Sequence, residues 1–402
     1  MKKLLALMLC LAVTVPAGFP ACAAEGAAVP ELTVTRREIP DNDAMRFLAA
    51  MGAGWNLGNT FDAVSQGRNN IKLFNEMTLE TAWCGAETTE AMFDTLKEAG
   101  FTTVRIPVSW HDHVIGIDHQ ISERWMARVQ EVVDWAYDRD FFVILNVHHD
   151  EEQFLPASAH YDASAHYMQC VWQQIAQRFR DYGERLIFES MNEPRLLNTP
   201  YEWNFKASSK DCLDAADCIN RLNQLFVDTV RATGGGNAER YLMVPAYDAN
   251  PDYAVNRYFQ LPADPADNRI IVSVHAYTPY TFALQIEGTK NFNLKTGGQR
   301  NDIIKFMDNL YNKYIANGIP VVIGEFGALD KGNLQDRVDF TAFYVASASE
   351  RNLPCLWWDN NAYTGSGEKF GLLQRRDCTF PYPEIVEAIM TYGRRDQASA
   401  AE

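Results

Sequence analysis

Two glutamates close apolar runs in this chain: Glu193 in "LIFESMNEPR" and Glu325 in "VVIGEFG". A proline disfavours helix for the residue before it, so Pro194 holds Glu193 extended where a strand passes into a loop. Two carboxylates at the ends of separate strands can work as a pair. A protonated carboxyl donates to a leaving oxygen while an ionised one attacks the carbon, as glycoside hydrolysis requires. At a separation of about 5–5.5 Å the outcome is retention through a covalent intermediate. Other apolar runs end in Asn59, Arg105, His148 with His149, Asn192, Tyr247 with Asp248, His275 with Tyr277, and Trp358. Arg105 beside Glu325 would keep that carboxylate ionised, and Tyr277 would hydrogen-bond it, which makes Glu325 the nucleophile. Burial and the neighbouring negative charge would raise Glu193 and make it the acid. Trp358 suits a sugar platform. Trp55, Trp83, Trp110 and Trp203 lie near other loops, but most tryptophans should be core.

These residues converge only if their segments end on one face. Eight short apolar or β-branched runs read as strands: "AGWNLGN", "TTVRIP", "FFVILNV", "RLIFESMN", "RYLMVPA", "IIVSVHAY", "PVVIGEF" and "LPCLWWD". Between them lie helical patterns such as "TTEAMFDTLKEAG" and "SERWMARVQEVVDWAYDRD", several closed by glycine. Near-continuous apolar strands alternating with helices mean an α/β fold with a parallel sheet, and eight units mean a (β/α)₈ TIM barrel. No G-x-G-x-x-G turn opens the first helix, which argues against an open dinucleotide-binding sheet. Active sites of such barrels lie at the carboxyl ends of the strands. Glu193 is expected to end the fourth strand and Glu325 the seventh, facing each other across the mouth. A single catalytic domain spans 44–393, after an arm at 25–43 and before a frayed tail at 394–402.

Residues 1–24 carry Lys2 and Lys3, an apolar run from Leu4 to Val15, and small residues around Ala21 to Ala24. That pattern predicts a signal peptide cleaved near Ala23 or Ala24, and so a secreted or periplasmic protein. Lipoprotein anchoring at Cys22 fits less well, because "GFPA" precedes it. The run is too short to span a bilayer, which takes about 20 apolar residues. The formal net charge is −16, and loss of the two leader lysines makes it −16 − 2 = −18. Such a chain repels nucleic acid and anionic membranes and suits a neutral or cationic ligand. Of eight cysteines, six lie beyond the leader. Cys212 and Cys218 either close a small loop or stay buried thiols. His148, His149 and Asp150 offer metal-binding side chains, but the first strand has no His-x-His, so no metal and no cofactor are expected. Glu189 and Asp150 read as structural hydrogen-bonders.

Together "GWNLGNTFDA", "GFTTVRIPVSW", "VILNVHHD", "FESMNEPR", "VSVHAYTPY", "VVIGEFGA" and "LWWDNN" resemble glycoside hydrolase family 5, in particular its subfamily-4 endoglucanases. The match runs from about Ala53 to Glu387. It implies a (β/α)₈ barrel, retaining chemistry without metal, and internal attack on β-1,4-linked glucans. Carried over, Glu193 is the acid/base and Glu325 the nucleophile. Asn59, Arg105, His148, His149, Asn192, His275, Tyr277 and Trp358 would line the site. The resemblance also suggests a cis peptide bond at Trp358–Asp359. "ETAWCGAETT" departs from the usual "WGNP" form of its segment, which leaves open what Trp83 and Cys84 touch. The expected partner is a β-glucan polysaccharide or oligosaccharide and the expected state a monomer. Xyloglucan, mixed-linkage glucan, xylan or mannan are alternative substrates for the same pair.

Overall fold

The computed structural model describes residues 26–65, 75–295 and 297–393. Eight parallel strands close into a barrel: β1 Ala53–Leu57, β2 Thr103–Ile106, β3 Phe142–Asn146, β4 Leu186–Glu189, β5 Leu242–Pro245, β6 Ile270–His275, β7 Val321–Phe326 and β8 Cys355–Asp359. They are the eight runs read as strands from the sequence. Each pairs with its sequence neighbour, and β8 returns to pair with β1. Nearly every strand position is buried, because helices cover the outside and side chains fill the inside. Eight helices alternate with the strands: α1 Glu90–Ala99, α2 Glu123–Tyr137, α3 Tyr161–Arg178, α4 Lys210–Ala232, α5 Pro251–Ala254, α6 Gly298–Lys313, α7 Leu334–Glu350 and α8 Pro383–Gly393.

Helix α1 shows how sequence sets these elements. Met92, Phe93 and Leu96 recur at helical spacing and are its buried face. Gly100 stops it: with φ 102° its N–H turns back to the carbonyls of Leu96 and Lys97. Helix α5 is a single turn, started by Pro251 and capped by the Asn250 side chain.

The barrel's amino-terminal end is closed by a further helix, Asp43–Met51, whose start is capped by Asn42. Its Phe47 ring stacks on Tyr241, just ahead of β5, at 3.8 Å between centroids. Ahead of it the arm runs extended over the last two helices. Ala28 N–H donates to Gln335, Leu32 N–H to the Tyr392 hydroxyl at 2.9 Å, and Arg37 N–H to the Glu350 carbonyl.

One expectation changes here. Strand β4 stops at Glu189, so Glu193 stands in the following loop rather than at a strand end. Of the two readings of Cys212 and Cys218 the buried thiols hold: both lie buried and free within α4, with five residues of helix between them. The proposed leader and tail fall outside the described residues. Among the described residues no helix is long and apolar enough to cross a membrane.

Candidate active site

The upper layer of the barrel interior is polar. Asn56 on β1, Arg105 on β2, Asn146 on β3, Glu189 on β4 and Ser273 on β6 are all fully buried. Each finds partners in the others. Glu189 accepts from Arg105 Nε at 2.8 Å, from Asn146 Nδ2 at 3.0 Å and from the Ser273 hydroxyl. Arg105 Nη1 donates to Asn56 Oδ1 at 3.1 Å and to Glu325 Oε1 at 2.7 Å. Its Nη2 donates to Asn192 Oδ1 at 2.9 Å. One guanidinium thus ties β2 to three other strands and to the loop after β4. Buried polar groups are tolerated when satisfied in this way. Glu189 is the structural hydrogen-bonder the sequence suggested. So is Asp150, which accepts from the backbone N–H groups of Trp110 and His111.

On this floor sit the two acids. Carboxylate oxygens of Glu193 and Glu325 and a ring nitrogen of His275 all lie within 4.8 Å of one another. Strand β7 carries one extra residue against β6: Val274 pairs with Ile323, but His275 pairs with Glu325. The unmatched residue is Gly324, and a Cβ there would stand 3.2 Å from His275 Nε2. The bulge turns Glu325 into the mouth, and the missing side chain leaves room for the His275 ring. Tyr277 donates its hydroxyl to Glu325 Oε2 at 2.8 Å, while His275 Nδ1 lies 2.8 Å from Glu193 Oε1.

The electrostatics separate the two carboxyls. Glu325 meets a guanidinium and a hydroxyl. Burial and the Glu325 charge push the Tyr277 phenol well above its ordinary range, so it stays a donor. Burial pushes the Glu193 carboxyl up, but the hydrogen bond and charge of His275, with Arg195, hold it below the ordinary range. The expectation of a raised Glu193 is therefore corrected for the free enzyme. His275 is buried, which lowers it, yet the charge of Glu325 and the bond to Glu193 leave it raised. Between these limits the Glu193–His275 pair carries one proton.

Residues 64–364 match the family model described as cellulase (glycosyl hydrolase family 5). The chain belongs to glycosyl hydrolase family 5. Endoglucanase 1 of Ruminococcus albus is 40% identical over 370 residues, covering 92% of this chain and 86% of that one. Among solved structures, a family 5 lichenase from Caldicellulosiruptor sp. F32 superposes with a TM-score of 0.89 at 50% identity, over 92% of this chain and all of that one. A family 5 xyloglucan-specific endo-β-1,4-glucanase from a metagenomic library superposes with 0.78 at 36% identity, over 87% and 98%.

In this family 5 enzyme the remaining predicted residues take different places. His148 Nδ1 lies 3.1 Å from Asn146 Nδ2, and burial and the nearby His149 charge keep its ring neutral. His149 reaches Glu151 at 3.3 Å and not the acids. Burial lowers His149, but Glu151 raises it further, to about 9; Glu151 itself is held at about 2 despite burial. Asp62, His148 and His149 each offer an atom within 4.8 Å of the others, a grouping the sequence had placed with Asp150 instead. Both oxygens of Asp62 already accept backbone N–H bonds, from Asn59 and Thr60.

Asn59 lies beyond the strand rather than in the buried polar layer. It occupies a left-handed turn beyond β1 with φ 56°, and it is Asn56, three residues earlier, that meets Arg105. Trp358 is 8% exposed and packs with Leu329 and Phe370, its ring parallel to His148 at 5.7 Å. Its bond to Asp359 is trans; among the described residues the cis bond is Thr278–Pro279. The regular β1 pairing runs through both residues, Asn56 to Trp358 and Leu57 to Asp359, and Trp55 Nε1 and Leu373 N–H hold the Asp359 carboxylate. Trp55 and Trp110 are core. Trp83, 37% exposed, stands against His149, and Trp203, 60% exposed, lies under the Arg195 guanidinium at 4.2 Å. The sequence missed Asn56, Asn146, Ser273 and Arg195. The first three read as ordinary strand polar residues, and Arg195 follows the "NEP" block with no motif of its own.

Proposed function

We propose that this chain is a retaining endo-β-1,4-glucanase in which Glu325 is the nucleophile and Glu193 the acid/base. The carrying observation is the spacing: carboxylate oxygens within 4.8 Å leave no room for the water that an inverting pair must hold between acid and base. In the first step Glu325 bonds to the anomeric carbon as the bond to the leaving oxygen breaks. That oxygen takes the proton of the Glu193–His275 pair. Esterifying Glu325 removes its negative charge, the largest influence raising His275, so the pair gives up protons more readily. Glu193 then accepts a proton from the incoming water, which displaces Glu325. The similarity to Endoglucanase 1 supports a β-1,4-glucan as substrate. The similarity to a lichenase and a xyloglucan-specific enzyme makes mixed-linkage glucan and xyloglucan the second reading. Asn192, Tyr277, His148 and Trp358 would line the sugar site, with Trp83 and Trp203 as outer platforms.

Glu325→Ala should abolish turnover while leaving the fold intact. Added azide should restore part of the activity on an activated aryl glycoside and give an inverted product, because the small anion attacks from the vacated face. Near-normal turnover without azide would overturn the assignment. Assays on carboxymethylcellulose, xyloglucan, mixed-linkage glucan, xylan and mannan then decide the polymer. The reading extends to an exported enzyme, supported by the leader pattern of residues 1–24, and to a monomer. Terminal sequencing of secreted protein should start near Ala24, and light scattering should give the mass of one chain.

A further inference from the structure

Beyond the acid pair, one carboxyl beside it has no evident duty. Asp248 follows β5 in a left-handed conformation, φ 58° and ψ 19°, and Ala249 after it has φ 46°. Two successive left-handed residues, neither of them glycine, are costly. Such outliers persist where the surroundings hold them, commonly at functional sites. What holds this one is the acid's own segment: Asp248 N–H donates to the Pro194 carbonyl at 2.9 Å, next to Glu193. Its Oδ1 is buried and meets no hydrogen-bond partner among the described residues. A buried unpartnered carboxylate oxygen is expensive, and a proton relieves that cost.

We propose that Asp248 is a positioning residue for the acid: the turn ties its backbone to the Glu193 segment, and its carboxylate there keeps the Glu193–His275 pair from losing its proton. The charged and titratable groups that face it fit this role. Glu193, Arg195 and Glu202 come from the loop after β4, Tyr247 from its own turn and Tyr253 from α5. Burial first, and then the Glu193 charge, push Asp248 up to about 8, with Arg195 opposing. Arg195 Nη1 is itself shared with Glu151 at 3.1 Å and the Glu193 carbonyl at 2.8 Å, so its charge is divided among several acceptors. Asp248 therefore ionises in the range where the acid is about to lose its proton. Its new negative charge opposes that loss.

This inference rests on Glu193 being the acid, so Glu193→Gln is assayed beside it. The test is the pH profile of kcat/KM on an unactivated cello-oligosaccharide. Asp248→Asn keeps the shape, and asparagine accepts a left-handed backbone. Asp248→Gly is the second variant and relieves the strain outright. Both should lower the alkaline midpoint by about half to one pH unit and leave the acid midpoint in place. An unmoved alkaline midpoint, or a uniform loss across all pH, would overturn the role of Asp248 if Glu193→Gln still spares activated substrates. If Glu193→Gln slows activated and unactivated substrates equally, the acid assignment falls, and this inference falls with it.

Discussion

Glu193 and His275 hold opposite shifts across one 2.8 Å contact, so their contribution to stability has two edges. Glu193 is depressed from 4.5, and its contribution is present above that value and lost as pH falls through the lower one. His275 is raised from 6.5, and its contribution is present below that value and lost as pH rises through the higher one. The gap in Tm between wild type and Glu193→Gln should thus be widest between pH 4.5 and 6.5 and narrow on both sides. A constant gap across that range would show that the pair does not titrate as described. The same variant should slow poor leaving groups far more than activated ones, since only the former need the proton. Arg105→Ala should cost about 3–5 kcal/mol in chemical denaturation, because Glu189 and Glu325 would be left as buried anions. Both acids, Arg105, His275 and Tyr277 were legible from residue type at the ends of apolar runs. Asn56 was passed over because a polar residue within an apolar strand looks incidental until its lumen-facing side is known. The depression of Glu193 was hidden for a different reason. It depends on His275, 82 positions away, arriving at contact distance.

At the scale of elements, the bulge in β7 makes the sharpest test. Gly324→Ala would place a methyl 3.2 Å from His275 Nε2, the same atom that Arg105 Nη2 approaches at 3.4 Å. The ring must move, and with it the bond to Glu193. A contact this tight is relieved by a shift of a few tenths of an ångström, and a full 1 Å misplacement costs about 10²-fold, so kcat should fall by less than that while the circular dichroism stays unchanged. Retained activity would mean that the site tolerates a repositioned His275. All eight strands could be read because each is buried on both faces and so nearly continuous in apolar residues. The bulge could not be read, since "VVIGEF" has no signal that one of its residues lacks a partner across the sheet. The strand β4 was overextended for a related reason: "ESMN" stays buried beyond the last ladder bond, so burial persists where strand pairing has ended. Helix α5 escaped notice because four residues carry too little periodicity to detect.

Over the whole molecule, the arm ties the start of the chain to its end. A form beginning at Asp41 loses the bonds of Ala28, Leu32 and Arg37 to α7 and α8. At about 1 kcal/mol for each net hydrogen bond its Tm should drop, while kcat/KM stays as in the full chain because the arm lies outside α7 and α8 and none of these bonds reaches the acids. A shortened form with altered catalysis would show that the two ends communicate. The catalytic face carries exposed tryptophans on two flanks, against His149 and against Arg195. Viscosity of a soluble glucan should therefore fall early, with mixed oligosaccharides as products; steady release of one small sugar would refute internal attack. The arm also bears on the order of assembly. Leu32 N–H waits for Tyr392, 360 positions later, and β1 finds β8 only when the chain is nearly complete. On a ribosome the first-made segment is thus the last to find its place. Until then no closed barrel exists, and the nascent chain remains in a form that can still be threaded through a narrow pore.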